Sequence, residues 1–363
     1  MSLTPENSVT SLIMFARLIA FFLPAVVLGS TLFQSRLAPA GDTPKNVLLV
    51  LAKGDQVLAI VDPASLRVIE RVPVGNDPHE VIASADGATA YVSNYGFGAY
   101  NTLARVDLTA QKALSPIDLG ALRGPHGLAF AAEKVWFTAK RAKAIGSYDP
   151  ATNNIDWILG TGQNRTHMIY VAADLQRIIT TNVSSGTVSI IDRTVGNGHP
   201  GAPTPAPPGA GSAADWNETV VRVGNGSEGF DVTPDGKEIW VANAEAGTVS
   251  IIDAASKTVI QTLAADVKSA NRLKFTPDGS KVLISALRGS DLTIIDTAAR
   301  QTIKRIAIGH GAAGIVMQPD GSRAFVACSP DGYVAVIDLH SLGVAGRIQI
   351  GKDPDGMAWV TRP

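Results

Sequence analysis

The sequence predicts an all-β fold, a seven-bladed β-propeller of four-stranded antiparallel blades, and three observations carry that reading. A strand-ending aspartate recurs seven times, as Asp62, Asp107, Asp149, Asp192, Asp253, Asp296 and Asp338. Successive copies are 45, 42, 43, 61, 43 and 42 residues apart. Each interval holds several short β-branched or aromatic runs punctuated by turn residues, the signature of a unit that buries its faces only by stacking on neighbours.

The unit is clearest from Thr233 to Leu263. Pro234, Asp235 and Gly236 form a tight turn, because proline presets φ and glycine takes the φ > 0 position. Glu238 to Asn243 and Thr248 to Ile252 read as two strands joined by a short polar hairpin. Asp253 ends the second run, where its carboxylate can accept backbone N–H bonds as an Asx-turn before the outer strand Thr258 to Leu263. Equivalent turns stand at 85–87, 277–279 and 319–321. Calling the strands A to D from the inside out, strand A is read at Glu80 to Ser84, Gly127 to Ala131 and Phe230 to Thr233. The first unit begins directly with strand B (Val47 to Leu51), followed by C (Val57 to Val61) and D (Val68 to Val74). Its strand A is expected at the other terminus, at Gly356 to Val360, so that the two ends close the ring and leave no open edge.

Two stretches stand outside the period. The interval before Asp253 exceeds its neighbours by about 18 residues, and the segment 195–214, rich in Pro, Gly and Ala, accounts for it as a loop insertion with too little apolar content to order itself. At the N-terminus an apolar run from Leu18 to Phe33 lies behind Arg17, and Ala38-Pro39-Ala40 fits a signal-peptidase site. Residues 1–40 are therefore expected to be a signal peptide, with 41–363 the propeller; an uncleaved membrane anchor is the alternative. Either way the rest is exported, periplasmic or extracellular, and the mature chain has no membrane span.

Composition removes several classes. Lys+Arg total 31 against 32 Asp+Glu, so no global field favours nucleic acid or an anionic membrane. One cysteine, Cys328, excludes an intramolecular disulfide or a multi-cysteine zinc cluster and reads as buried filler. No C-x-x-C-H motif attaches a haem, and no G-x-S-x-G elbow presents a nucleophilic serine.

YVSN at 91–94 and WVAN at 240–243, each followed by a hairpin and a [VI]-D ending, resemble the YVTN repeats of bacterial seven-bladed propellers. The resemblance covers the chain after Lys45 and implies the fold; function it leaves open, since such repeats occur in surface antigens, periplasmic proteins and parts of redox enzymes. Ile179 to Asn182 keeps the asparagine of the motif, whereas the equivalent stretches ending near Lys140, Ala286 and Cys328 lose it.

Aligning the entry into strand A gives Asp355, His79, His126, His167, Glu228, Asn271 and Ala313, a ring at one mouth of the central channel. Imidazoles in three consecutive blades suit a divalent transition metal, with His79, His126 and His167 as ligands and Glu228 or Asp355 beside them. The competing reading is that these side chains cap backbone N–H groups at the strand entry. His310 lies three positions ahead of Ala313. On the same face, the 94–101 loop offers Tyr95, Phe97 and Tyr100, and the 139–144 loop offers Lys140, Arg141 and Lys143. With Arg123, Arg165, Arg272 and Arg288 nearby by register, this face is expected to be basic with an aromatic patch. Such a face suits a protein partner or a small anionic ligand, and more weakly single-stranded nucleic acid through charge and stacking. The chain is thus expected to be a monomeric binding or scaffold protein using its D-to-A and B-to-C loops. The alternative is a lyase or hydrolase with a metal or histidine acid/base site at the channel mouth.

Overall fold

A computed structural model describes residues 44–195 and 214–362, which form one compact unit. The N-terminal segment and the body of the 195–214 insertion lie outside these residues. Seven sheets of four antiparallel strands are present, each in sequential order except one. The exception is blade 1, where Pro354–Thr361 pairs with Asn46–Ala52, which continues to Val57–Asp62 and Arg67–Pro73. The ends therefore close the ring as the sequence implied. Lys53 N–H and Gly54 N–H add bonds of 3.0 Å each to the carbonyls of Asp353 and Lys352.

The other inner strands are Pro78–Ala83 (blade 2), Pro125–Ala131 (blade 3), Thr166–Val171 (blade 4), Ser227–Val232 (blade 5), Ala270–Phe275 (blade 6) and Ala312–Met317 (blade 7). Each touches the inner strands of both neighbouring blades, so they line a closed ring around the channel. Alternation along strands B and C sends apolar side chains to both sheet faces. The buried apolar residues accordingly form seven clusters, one between each pair of adjacent blades. Between blades 3 and 4 the filler is a row of indoles, Trp136, Trp157 and Trp216, with successive centroids 5.4 Å apart. Cys328 is buried and free among apolar neighbours, and burial pushes its thiol up to about 11.

Six of the seven recurrent aspartates form the expected turns, as where the Asp338 Oδ1 accepts the N–H groups of His340 and Ser341 at 3.1 and 2.6 Å. Asp192 differs because its strand runs on past it to Val195 and pairs with Ala214–Arg222 in place of turning. Its carboxylate binds Arg177 at 2.6 Å and Lys257 at 2.5 Å instead. The insertion thus leaves from a C-to-D hairpin, on the face opposite the channel histidines.

The inner strands begin two or three residues earlier than the sequence pattern suggested. In each, the ladder to strand B is interrupted by a register shift after the first residues. Unpaired residues have no alternating pattern to betray them, so the β-bulge hid the start of the strand.

Candidate functional site at the channel mouth

The bulge is what presents the site. Asp355, His79, His126, His167, Glu228, Asn271 and Ala313 are all the second residue of their inner strand, inside the bulge and facing the channel mouth. Their spacing is set from behind by hydroxyls on strand B. Ser93 Oγ accepts the Glu80 N–H at 3.1 Å and donates to the His126 carbonyl of the next blade at 2.8 Å. Thr138 does the same between Gly127 N–H (2.9 Å) and His167 carbonyl (2.7 Å), and Thr181 donates to the Glu228 carbonyl at 2.8 Å. Ser285 repeats the link to Ala313. The bulge N–H groups are thus satisfied by these hydroxyls and not by the histidine rings, against the capping expectation. Gly127 allows the close approach, since a Cβ there would overlap the His167 carbonyl.

Two further rings stand above the first. Two residues before each channel residue the backbone is left-handed in every blade: Asp353, Asp77, Gly124, Arg165, Gly226, Ser269 and Gly311 have φ between 47° and 73°. The carbonyl of each of these accepts the N–H of the residue just after strand B, namely Lys53, Tyr95, Lys140, Val183, Ala244, Leu287 and Ser329. The three rings are unequal around the circle. Blades 1 to 4 carry nearly all the charged and aromatic groups, while blades 6 and 7 carry Asn271, Ala313, Ser269, Gly311, Leu287 and Ser329.

On the charged side the imidazoles meet in a row. The His79 and His126 ring centroids are 4.9 Å apart and those of His126 and His167 4.0 Å. Tyr95 stands edge-on to His79 and His126, at 5.1 and 5.4 Å. Carboxylates hold the two ends. His79 lies 3.2 Å from Asp77 and 3.5 Å from Asp355, which also pairs with Lys53 at 3.1 Å. His167 Nε2 lies 3.1 Å from Glu228 Oε1, without the alignment of a hydrogen bond. Among the described residues neither His126 Nδ1 nor His167 Nδ1 has a hydrogen-bond partner. Among the described residues no three His, Cys, Asp or Glu side chains gather around one point as metal ligands; the rings meet by their faces and edges.

Burial sets the protonation. Desolvation pulls the His126 imidazole well below its ordinary value, reinforced by His167 and Lys140. It also pulls His167 to about 4, with Glu228 opposing, so both rings are neutral at pH 7. Burial would raise the Glu228 carboxyl, yet His167, Lys140 and Arg165 outweigh it and keep the group an anion.

Lys140, expected as a rim cation, is only 6% exposed. Its Nζ sits 4.3 Å from the Tyr95 ring centroid and makes no ion pair or hydrogen bond among the described residues. Desolvation, followed by the charge of Arg165, lowers its ammonium to about 7. Arg141 and Arg165 are exposed and likewise make no side-chain bond among the described residues. Phe97 is 91% exposed beside Tyr95.

Arg272, expected on the basic loop face, is instead buried inside the channel, paired with Glu80 and bonded to Asn271 through Nη1 at 3.1 Å. The reason is the bulge: Arg272 and Glu80 are third residues of their inner strands, positions held by glycine in blades 1, 3, 5 and 7, so their side chains fill the channel and bridge blades 2 and 6. His310 is also apart from the row, exposed and bonded to Asp331 at 3.1 Å. Lys53 belongs to the site but was not singled out, because blade 1 is divided between the termini and its B strand was never aligned with the others.

No family model matches the chain and no curated protein matches it. Solved structures do. A Desulfotomaculum acetoxidans protein of unknown function superposes with a TM-score of 0.68 at 12% identity, covering 88% of this chain and 100% of that chain. A Bacteroides fragilis protein named as a candidate 6-phosphogluconolactonase gives 0.66 at 15% identity, covering 88% and 99%. Hydrazine synthase of Kuenenia stuttgartiensis gives 0.61 at 16% identity, covering 77% and 88%. At these identities the likeness is one of fold.

Proposed function

We propose that this chain is an exported propeller of the YVTN-repeat type that binds a small anionic ligand at the channel mouth, over blades 1 to 4. The observation that carries this reading is the set of unpaired cations: Lys140, Arg141 and Arg165 crowd one side of the mouth without a carboxylate partner of their own. A buried ammonium held only by a ring face is a costly arrangement, and an anion bound there would offset the cost. The neutral imidazoles behind it supply hydrogen-bonding nitrogens without adding charge. Behind the mouth, Glu80 and Arg272 form a buried pair that bridges the channel.

Isothermal titration of the full chain with succinate and with inorganic phosphate, at low ionic strength and pH 7, tests this. Binding is expected to weaken at least tenfold in Arg165→Gln, which removes one charge-assisted contact of about 1.5–3 kcal/mol. Equal affinity in parent and variant would refute the site.

A further inference from the structure

We propose that Lys140 is a nucleophilic amine that captures a small 2-oxo acid as a covalent imine, its carboxylate held by Arg165. The inference rests on the anion-site reading above and adds a reaction to it. Four observations converge. The Lys140 Nζ is nearly enclosed yet has no carboxylate within ion-pair distance among the described residues, so the more distant Glu228, Asp355 and Asp77 offset only part of the cost of burying its charge. The Tyr95 face fixes it at the mouth, 4.3 Å from the ring centroid. His126 packs against the same ring, 3% exposed and with Nδ1 unpartnered. Arg165 is close enough to act on the Lys140 charge and is left unpaired to receive an anion.

Chemistry follows from that placement. The amine nitrogen attacks the carbonyl carbon, a C–N bond forms and the carbonyl π electrons move to oxygen. One nitrogen proton moves to the resulting alkoxide to give the hydroxyl; the second passes to His126 and is returned to the hydroxyl as the C–O bond breaks, the nitrogen lone pair closes the C=N bond and water leaves. The net change is amine plus ketone to imine plus water, with no oxidation or reduction. Desolvation and a neighbouring cation are the two ordinary means of activating such an amine. With the ammonium lowered to about 7, roughly half the nitrogen is free at neutral pH, about a thousandfold more than in an ordinary surface lysine. The carboxylate requirement separates the proposed ligand from a simple aldehyde.

The test is reductive trapping. The full chain is incubated at pH 7 with pyruvate or glyoxylate and cyanoborohydride, and the products are read by intact mass and peptide mapping. One adduct is expected, on Lys140, forming at least 100-fold faster than on any other lysine. Arg165→Gln removes the activating charge for both substrates but the carboxylate contact for pyruvate alone, so it should slow trapping of pyruvate at least tenfold more than trapping of acetaldehyde; equal slowing of both would overturn the carboxylate role. Lys140→Arg should abolish the adduct, and Lys140→Met, checked for fold by circular dichroism, guards against a local collapse. Adducts scattered over surface lysines, or none at all while titration still shows Arg165-dependent pyruvate binding, overturn the imine and leave the anion site standing. Absence of both adduct and binding overturns both.

Discussion

Glu80 and Arg272 meet across the channel from blades 2 and 6, 192 residues apart, and are 9% and 5% exposed. Glu80→Ala leaves the guanidinium buried without its carboxylate, a class of change that costs about 3–5 kcal/mol. Two contacts to Asn271 survive at 3.1 Å, and the charge of Asp355 still favours the cation, so the low end, about 3 kcal/mol, is expected. Removing both charges with Glu80→Met and Arg272→Met should recover most of that loss, because two flexible apolar side chains fill the same space without an orphaned ion. Equilibrium urea denaturation of the parent, both single variants and the double variant supplies the cycle. A Glu80→Ala protein within about 0.5 kcal/mol of the parent, or a double variant no better than the single, would show that the channel is wet and that the pair does not plug it.

Acid should destabilise the protein through His167. Its imidazole is depressed to about 4 when folded, so the unfolded state binds more protons between pH 6.5 and 4, and about 3 kcal/mol present at pH 7 is lost across that window, with His126 acting in the same direction; flat stability from pH 6.5 to 4 would contradict the burial argument. Arg165→Gly should leave the Tm equal or higher, since glycine takes a φ of 57° freely, while anion affinity falls; a large drop in Tm would show that the side chain packs structurally. Replacing 196–213 by a short turn should change stability by less than about 1 kcal/mol, because Val195 and Ala214 are already paired neighbours. Zinc added to chelator-treated protein at pH 7.5 should not raise the Tm, as the imidazoles pack ring on ring at tilts of 37° and 43° and no three ligating side chains converge among the described residues; a zinc shift abolished by His126→Ala would show that they turn to ligate an ion.

What could be read in the sequence was whatever the repeat wrote seven times. Six of the seven aspartate turns, the blade count and the shared register of His79, His126 and His167 follow the repeat and stand in the structure, as does the closing strand, which starts at Pro354, two residues before its expected start. What was hidden occurs once or is masked by substitution. The left-handed position shows as glycine at Gly124, Gly226 and Gly311, but Asp77, Arg165, Ser269 and Asp353 occupy it elsewhere and conceal the pattern. The Glu80–Arg272 bridge has no repeat partner to announce it. Lys140 looked like a loop cation because side-chain burial at a blade junction depends on the neighbouring blade, which no local pattern encodes.

The imbalance between the two halves of the mouth carries the functional argument further than any one residue does. A ring built only for stability would place glycine at every left-handed position and a neutral residue at every channel position, as blade 7 nearly does with Gly311 and Ala313. Blades 1, 2 and 4 instead hold Asp353, Asp77 and Arg165, as blade 6 holds Ser269, in a backbone conformation that costs a residue with a Cβ about 1–2 kcal/mol. Blades 3 and 4 also bury two imidazoles and an ammonium with desolvated, unpartnered nitrogens. Strain and unpaired polarity each have bland explanations when isolated, but here most of both fall on one side of one mouth, above a channel bridged by Glu80 and Arg272. The carboxylates of that side lie against His79, Lys53 and His167, whereas Arg141 and Arg165 are exposed near Tyr95 and Phe97 with no ion pair among the described residues. On the function proposed above, an anion held at this surface by Arg165 would offset part of the cost of leaving these cations unpaired.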